Sequence, residues 1–337
     1  MKFLLTAINA KFIHSNPAIY SLRAGVGEKL QPYVELAEFT INESLESILE
    51  GIWKRQPKVI GFSCYIWNWK LIREILTELP KILPDTEIWL GGPEVTYDGP
   101  GLLREFPQVT GIMVGEGEVT FREVLGQYVR EAESTGQSEQ QPEPDSIEQQ
   151  AADRTGTLAG KSVAERFGQI PGLCLASGYT APRELTDLTT LPFLYEDMEP
   201  FTNRIIYYET SRGCPYRCSY CLSSIDKKVR LRDIDVVKRE LQFFLDQNVK
   251  QVKFIDRTFN CDHKHAMEIW EYIYKHDNGV TNFHFEISAD ILREEEIVLL
   301  NRFRPGLAQL EIGVQSTNSE TIRAIHRVMD VDKLEKI

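Results

Sequence analysis

No stretch of the chain stays apolar for the roughly 18 residues that a membrane-spanning helix needs. Its apolar start, residues 3–8, is cut short by Asn9 and Lys11, which predicts a buried strand rather than a secretory signal. Basic residues are also short: 38 Lys and Arg stand against 50 Asp and Glu, a net charge of -12. That balance argues against a general nucleic-acid surface, because phosphate binding depends on clustered Lys and Arg, though a small basic groove stays compatible with it; the basic run at residues 227–232 reads as plain surface or as a loop facing an anionic substrate. Six cysteines in 337 residues are too few for a disulfide scaffold. A reducing, cytoplasmic location is therefore expected. Histidine is scarce as well: residues 1–130 hold one, His14, and no Asp-x-His-x-x-Gly run occurs.

What is present suits an enzyme of two domains. The length exceeds the usual single-domain size, and 42% hydrophobic residues can bury real cores. Within residues 1–130, short apolar runs at 2–8, 34–39, 59–64, 87–90 and 111–114 alternate with amphipathic patterns at 18–30, 44–55, 69–83 and 120–130. That rhythm predicts a doubly wound parallel sheet, which binds ligands at the carboxyl ends of its strands. Glycine-rich turns fall at two of those ends, Gly91-Gly92-Pro93 and Gly115-Glu116-Gly117. Either turn alone commonly just makes the tight passage from strand to helix, but glycine also permits close approach of a bulky ligand. Residues 131–169 are acidic and polar and read as a linker, since such composition cannot offset the entropy of ordering. Residues 170–200 follow as a short hairpin, with Cys174 in its core, and an extended connector. Residues 201–337 return to the βα rhythm, with strands at 205–210, 251–255, 283–288 and 307–314 and helices at 235–246, 264–276, 294–303 and 319–326.

The most specific signal opens this last region. Cys214, Cys218 and Cys221 form a C-x3-C-x2-C triplet. Three thiolates so close in sequence can wrap one cubic 4Fe-4S cluster, leaving its fourth iron without a protein ligand and open to a cofactor. A structural zinc site is the alternative; it needs four ligands, and the nearest spare ones, Cys261, His263 and His265, lie some forty residues on.

With Tyr220 just before its last cysteine, the triplet resembles the signature of the radical S-adenosylmethionine family. The resemblance implies that Cys214, Cys218 and Cys221 hold the cluster, that its open iron chelates S-adenosylmethionine, and that one-electron cleavage yields a 5'-deoxyadenosyl radical. It also implies a partial α/β barrel over residues 201–337, with the cofactor held at strand ends by Asp256, Glu286, Ser288, Gly313 and Gln315; Arg257 stands where relatives are often acidic. The glycine turns ahead of the triplet make residues 1–130 similar to the cobalamin-binding domain of one branch of that family. Ser63, Cys64, Gly91, Gly92, Gly115, Glu116 and Gly117 are then the cofactor-facing residues, and cobalamin is expected without a histidine ligand. Cobalamin-dependent methyl transfer to an unactivated carbon is the implied chemistry, with radical cyclisation or rearrangement as the alternative. A sulfur-inserting tRNA enzyme fits less well, since the second cluster it needs has only Cys64 available in the first domain. The expected partners are a small-molecule substrate and an external electron donor. Because four βα units are visible where the family barrel has six, the other alternative is a truncated, non-catalytic fragment that binds cluster or cobalamin without turnover; such a chain is expected to self-associate and to be completed by a chain that supplies the missing barrel half. No residue of the sequence is singled out as a catalytic acid or base.

Overall fold

The computed structural model describes residues 1–134, 161–226 and 228–337. They form two compact units, one of residues 1–186 with 194–197, the other of residues 187–193 with 198–337.

The first unit is built on strands β1 (Phe3–Asn9), β2 (Val34–Thr40), β3 (Val59–Ser63), β4 (Glu87–Gly91) and β5 (Val109–Met113), all parallel, in the order β2-β1-β3-β4-β5. β1 is buried at all seven positions, as a central strand covered on both faces must be. Helices α1 (Pro17–Gly25), α2 (Leu45–Trp53), α3 (Trp69–Ile82), α4 (Gly99–Glu105) and α5 (Gly117–Ser134) cover the two faces. Ile48, Ile52, Ile72, Ile75, Leu76 and Leu103 place α2, α3 and α4 against one face; Ile19, Phe121, Val124, Leu125 and Tyr128 place α1 and α5 against the other. α4 was not legible as a helix because it opens Gly99-Pro100-Gly101, yet Pro suits a first turn and the Asp98 side chain accepts from Gly101 N–H.

Two boundaries differ from expectation. The flanks of the acidic stretch are helix rather than linker: α5 continues to Ser134, and α6 (Val163–Phe167) opens on a capping box between Ser162 and Glu165. The rest of that stretch, 135–160, lies outside the described residues. The hairpin β6 (Leu173–Leu175) and β7 (Gly178–Tyr179) is not a separate element; β6 pairs antiparallel with β5 and extends the first sheet to seven strands. Cys174 is buried there, as expected of a core residue. α6 is held by Arg166, which reaches Glu87 at 3.0 Å and Glu131 at 2.9 Å and lies over the rings of Tyr128 and Phe167.

The second unit carries a parallel sheet of β8 (Ile206–Tyr208), β11 (Gln251–Phe254), β12 (Asn282–Ile287) and β13 (Ala308–Ile312), in the order β13-β12-β11-β8. Helices α7 (Ile234–Asp246), α8 (His263–Lys275), α9 (Glu294–Leu300), α10 (Ser319–Ala324) and α11 (Val331–Leu334) alternate with the strands or follow them. One sheet face packs an aromatic core in which Phe254 and Phe259 both lie 4.5 Å, ring centre to ring centre, from Phe285. The four βα units fall where the apolar runs predicted them. The ribbon of β9 (Ser211–Arg212) and β10 (Arg230–Leu231) did not announce itself.

Candidate functional site

At the carboxyl end of the first sheet, short polar side chains arrange the loops. Glu38 accepts from the Asn9 side chain at 2.8 Å, from Asn16 N–H at 3.1 Å and from the Tyr20 hydroxyl at 2.7 Å. Asn16 caps α1 and also donates to Ser63 Oγ at 3.2 Å. Asn68, fully buried, donates to the carbonyls of Ile8 and Ser63 and accepts from Tyr65 N–H. This hub fixes residues 9–16 and 63–68, whose tips expose Phe12, Ile13, Ile66 and Trp67. Tyr65 stacks on Trp67 at 4.4 Å.

The residues expected to face a cofactor divide. Gly115 has a positive φ of 77° and open space where a side chain would begin, so a large ligand can approach its backbone. Gly92 also has a positive φ, 110°, but for an internal reason: a Cβ there would lie 2.5 Å from the Cys64 carbonyl oxygen. Gly91 ends β4 and accepts the Cys64 N–H at 2.7 Å. Ser63 is engaged by Asn16, and Gly117 packs its start of α5 near Leu22. Two residues depart from expectation. Cys64 lies wholly in the core, where burial pushes its thiol far above the ordinary range. Glu116 turns to the chain beyond the hairpin and accepts from Thr186 N–H at 2.7 Å. His14 lies in the loop and supplies its carbonyl to Asn9.

In the second unit the cysteines sit on a loop whose neck is the β9–β10 ribbon. Gly213 makes the entry: φ is 100°, and a Cβ would fall 2.5 Å from the Lys228 carbonyl oxygen. Cys214 N–H donates to Asp226 O at 3.0 Å, Cys221 N–H to Cys218 O at 3.1 Å, and Ser219 N–H to Ile325 O at 2.9 Å. Cys214 and Cys218 are buried and Cys221 half-buried; all three are free. Arg232, just beyond the ribbon, is buried against Glu240 at 2.7 Å and donates to Leu191 O.

Asp256 is the polar centre beneath this loop. It is 1% exposed and accepts from Thr210 N–H at 3.1 Å, the Thr210 hydroxyl at 2.7 Å and the Ser211 hydroxyl at 2.5 Å. Burial raises its pKa to about 6 against these three donors. These contacts tie β9 to the end of β11, since a buried carboxylate must find donors. Ser288 is buried between Asn260 and Asp290, its hydroxyl donating to Asp290 at 2.7 Å. Glu286 lies on the sheet face away from the aromatic core, 3.7 Å from Lys253, which also reaches Glu311 at 3.1 Å. Gly313 and Gln315 follow β13; Gln315 has a φ of 58°, and the Gly313 carbonyl accepts from Arg327. Cys261, beyond β11, has its thiol pushed up to about 11 by burial, with Cys214 and Asp256 adding to it.

The donor chemistry of the loop fits an iron-sulfur cluster: three free thiols on backbone already hydrogen-bonded in place. Among the described residues, no three Cys, His, Asp or Glu side chains converge on a point as a single metal ion requires. A cubic cluster takes each cysteine on a different iron and asks for no such convergence. Residues 63–68 and 115 at the first sheet likewise fit a bulky ligand, through the open space at Gly115 and the exposed aromatic tips.

Comparison with known proteins gives the same division. Residues 4–125 match the model of the B12 binding domain, and residues 208–337 that of the Radical SAM superfamily. The chain is 27% identical over 228 residues to a 2-(S-pantetheinyl)-carbapenam-3-carboxylate methyltransferase of Streptantibioticus cattleyicolor, covering 64% of this chain and 29% of that protein. It is 23% identical over 304 residues to an anaerobic magnesium-protoporphyrin IX monomethyl ester cyclase of Rubrivivax gelatinosus, covering 86% of this chain and 49% of that one. The radical S-adenosylmethionine methyltransferase TsrM of Kitasatospora setae superposes over 100% of this chain and 64% of its own, with a TM-score of 0.67 at 17% identity. The chain thus spans half or less of those two curated relatives. No helix among the described residues is long and apolar enough to cross a membrane.

Proposed function

Because this chain belongs to the Radical SAM superfamily and carries a B12-binding domain ahead of its radical SAM domain, we propose that it takes part in cobalamin-dependent methyl transfer to an unactivated carbon of a small molecule. The observation that carries the reading is the loop with Cys214, Cys218 and Cys221, closed at its neck by the β9–β10 ribbon and set at the carboxyl ends of a parallel sheet. When bound, the cluster supplies one electron for cleavage of S-adenosylmethionine and cobalamin supplies the methyl group.

The residues of the chain have the following parts. Cys214, Cys218 and Cys221 hold the cluster as thiolates, and Asp256, through Thr210 and Ser211, sets the strand end from which their loop departs. Glu286, paired with Lys253 on the sheet face away from the aromatic core, and Gln315, beyond β13, are the polar side chains offered to S-adenosylmethionine, and Gly313 offers its backbone there. In the first domain Gly115 admits the cobalamin ring, while Glu38, Asn16 and Asn68 hold the loops beside it. His14 does not serve as an axial ligand in this reading. An external one-electron donor is required.

A second reading, radical cyclisation, is favoured by one observation: the cyclase relative aligns with 86% of this chain, against 64% for the carbapenam methyltransferase.

Anaerobic reconstitution tests the shared core of both. The chain is expected to bind about four irons with the absorption of a cubic cluster, and Cys218→Ala to lose it. It is also expected to bind hydroxocobalamin, whose cobalt(II) form shows no protein-nitrogen splitting in its paramagnetic resonance. Stoichiometric zinc in place of iron, or no corrinoid binding, would overturn the reading.

A further inference from the structure

Thr258 stands two residues beyond Asp256, is 7% exposed, and places its hydroxyl 3.6 Å from Cys214 Sγ. Its carbonyl accepts from Cys261 N–H at 3.0 Å, so the turn that aims the side chain is fixed. Cys214 is 8% exposed and spends its amide on Asp226, leaving Thr258 as the partner of its sulfur among the described residues.

While Cys214 is a thiol, either atom of this pair can donate. Once the sulfur is an iron-bound thiolate it has no proton to give, and the roles become fixed: Thr258 O–H donates and Cys214 Sγ accepts. Resting on the assignment of Cys214 as a cluster ligand, we infer that Thr258 is a positioning residue that tunes the cluster's reduction potential through a hydrogen bond to that sulfur. Reduction adds one electron, whose charge spreads over the thiolate sulfurs as well as the irons. A donor aimed at one sulfur stabilises the reduced state more than the oxidised state and raises the potential. Burial of both partners strengthens the effect, because water neither competes for the sulfur nor screens its charge. The hydroxyl therefore makes the cluster easier to charge from an external donor and a weaker reductant toward what it must cleave.

The test uses the full chain, reconstituted anaerobically. Thr258→Val removes the hydroxyl and keeps nearly the same shape. It is expected to hold as much iron as the wild type while its one-electron reduction equilibrium falls about tenfold, which is about 59 mV. Thr258→Ser, which keeps the hydroxyl, is expected to titrate with the wild type. The reduced wild-type cluster should show a proton hyperfine coupling that vanishes in deuterated buffer and is missing from Thr258→Val. If the valine variant holds no iron, Thr258→Ala, which lacks the hydroxyl without adding bulk, repeats the comparison. Equal potentials at equal iron content overturn the inference and leave the cluster assignment standing, as does a wild-type cluster with no exchangeable coupling. A wild-type chain that assembles no cubic cluster overturns both, and the iron analysis shows which has happened.

Discussion

Asn260 and Ser288 hold each other through a reciprocal pair of hydrogen bonds: the Asn260 amide donates to the Ser288 carbonyl at 2.9 Å and accepts the Ser288 N–H at 3.0 Å. One side chain thus imitates a strand neighbour and joins the turn after β11 to the end of β12, where the sheet's own pairing has stopped. Asn260 is fully buried, so water cannot replace it. Asn260→Ala leaves a donor and an acceptor of Ser288 unpaired and is expected to cost about 2–4 kcal/mol. Urea unfolding measures it; a midpoint within error of the wild type would show that the backbone finds other partners.

Asp256 gives the second domain a pH dependence of known sign. Its carboxyl titrates near 6 in the folded chain, because burial opposes ionisation, against 3.8 when exposed. The folded state therefore holds the proton more tightly, and this group favours folding most at low pH. The contribution is present below about 3.8 and is lost as pH rises through about 6, at most about 3 kcal/mol. Asp256→Asn is expected to flatten that part of the profile. Denaturant titrations from pH 4 to 7 that fall equally in both proteins would assign the slope elsewhere.

Arg166 tests the first domain. Its guanidinium is 7% exposed between Glu87 and Glu131, and Tyr128 and Trp89 continue the chain of hydrogen bonds, Trp89 Nε1 donating to Tyr128 at 2.8 Å and Tyr128 to Glu87 at 2.7 Å. Removing the cation leaves two carboxylates facing each other in a half-dry site. Arg166→Met is expected to destabilise this domain by about 3 kcal/mol or more. Thermal unfolding followed through the Trp89 environment reads it, and an unchanged melting temperature would show the pair to be dispensable.

Gly213 carries the fourth prediction. Its positive φ and the 2.5 Å approach of Lys228 O leave no place for a methyl group. Gly213→Ala is expected to lose cluster iron while far-ultraviolet circular dichroism stays close to the wild type, since the ribbon is short and the two main sheets do not depend on it. Full iron loading in the variant would mean that the loop can close in another way.

Why some of this was readable in the chain and some was not is a matter of range. Strands such as β1 and β3 are continuous apolar runs, and α7 buries Val237, Leu241 and Phe244 at helical spacing, so neighbouring residues alone announce them. The cysteine triplet is local too. α4 was hidden because Gly99 and Gly101 oppose a helix that Asp98 and tertiary packing then stabilise. The ribbon has two residues per strand, with an arginine in each, and no period to detect. Asn68 meets Ile8 across sixty residues, and Asp256 meets Thr210 across forty-six; nothing near either residue foretells such a partner. The same holds for Glu116 and Cys64, whose strand-end positions suggested a ligand and whose side chains face inward or along the chain.

The β9–β10 ribbon has one more consequence. A loop that must gather three thiols from a flexible chain loses conformational entropy at the moment it meets iron, and small metal domains that work this way are unfolded without metal. Here the neck is already tied by strand pairing, by Gly213 and by Arg232 on Glu240. On the proposed assignment, iron would meet a cup rather than a string, and loading the loop would be an act of filling, separate from the folding of the domain that holds it.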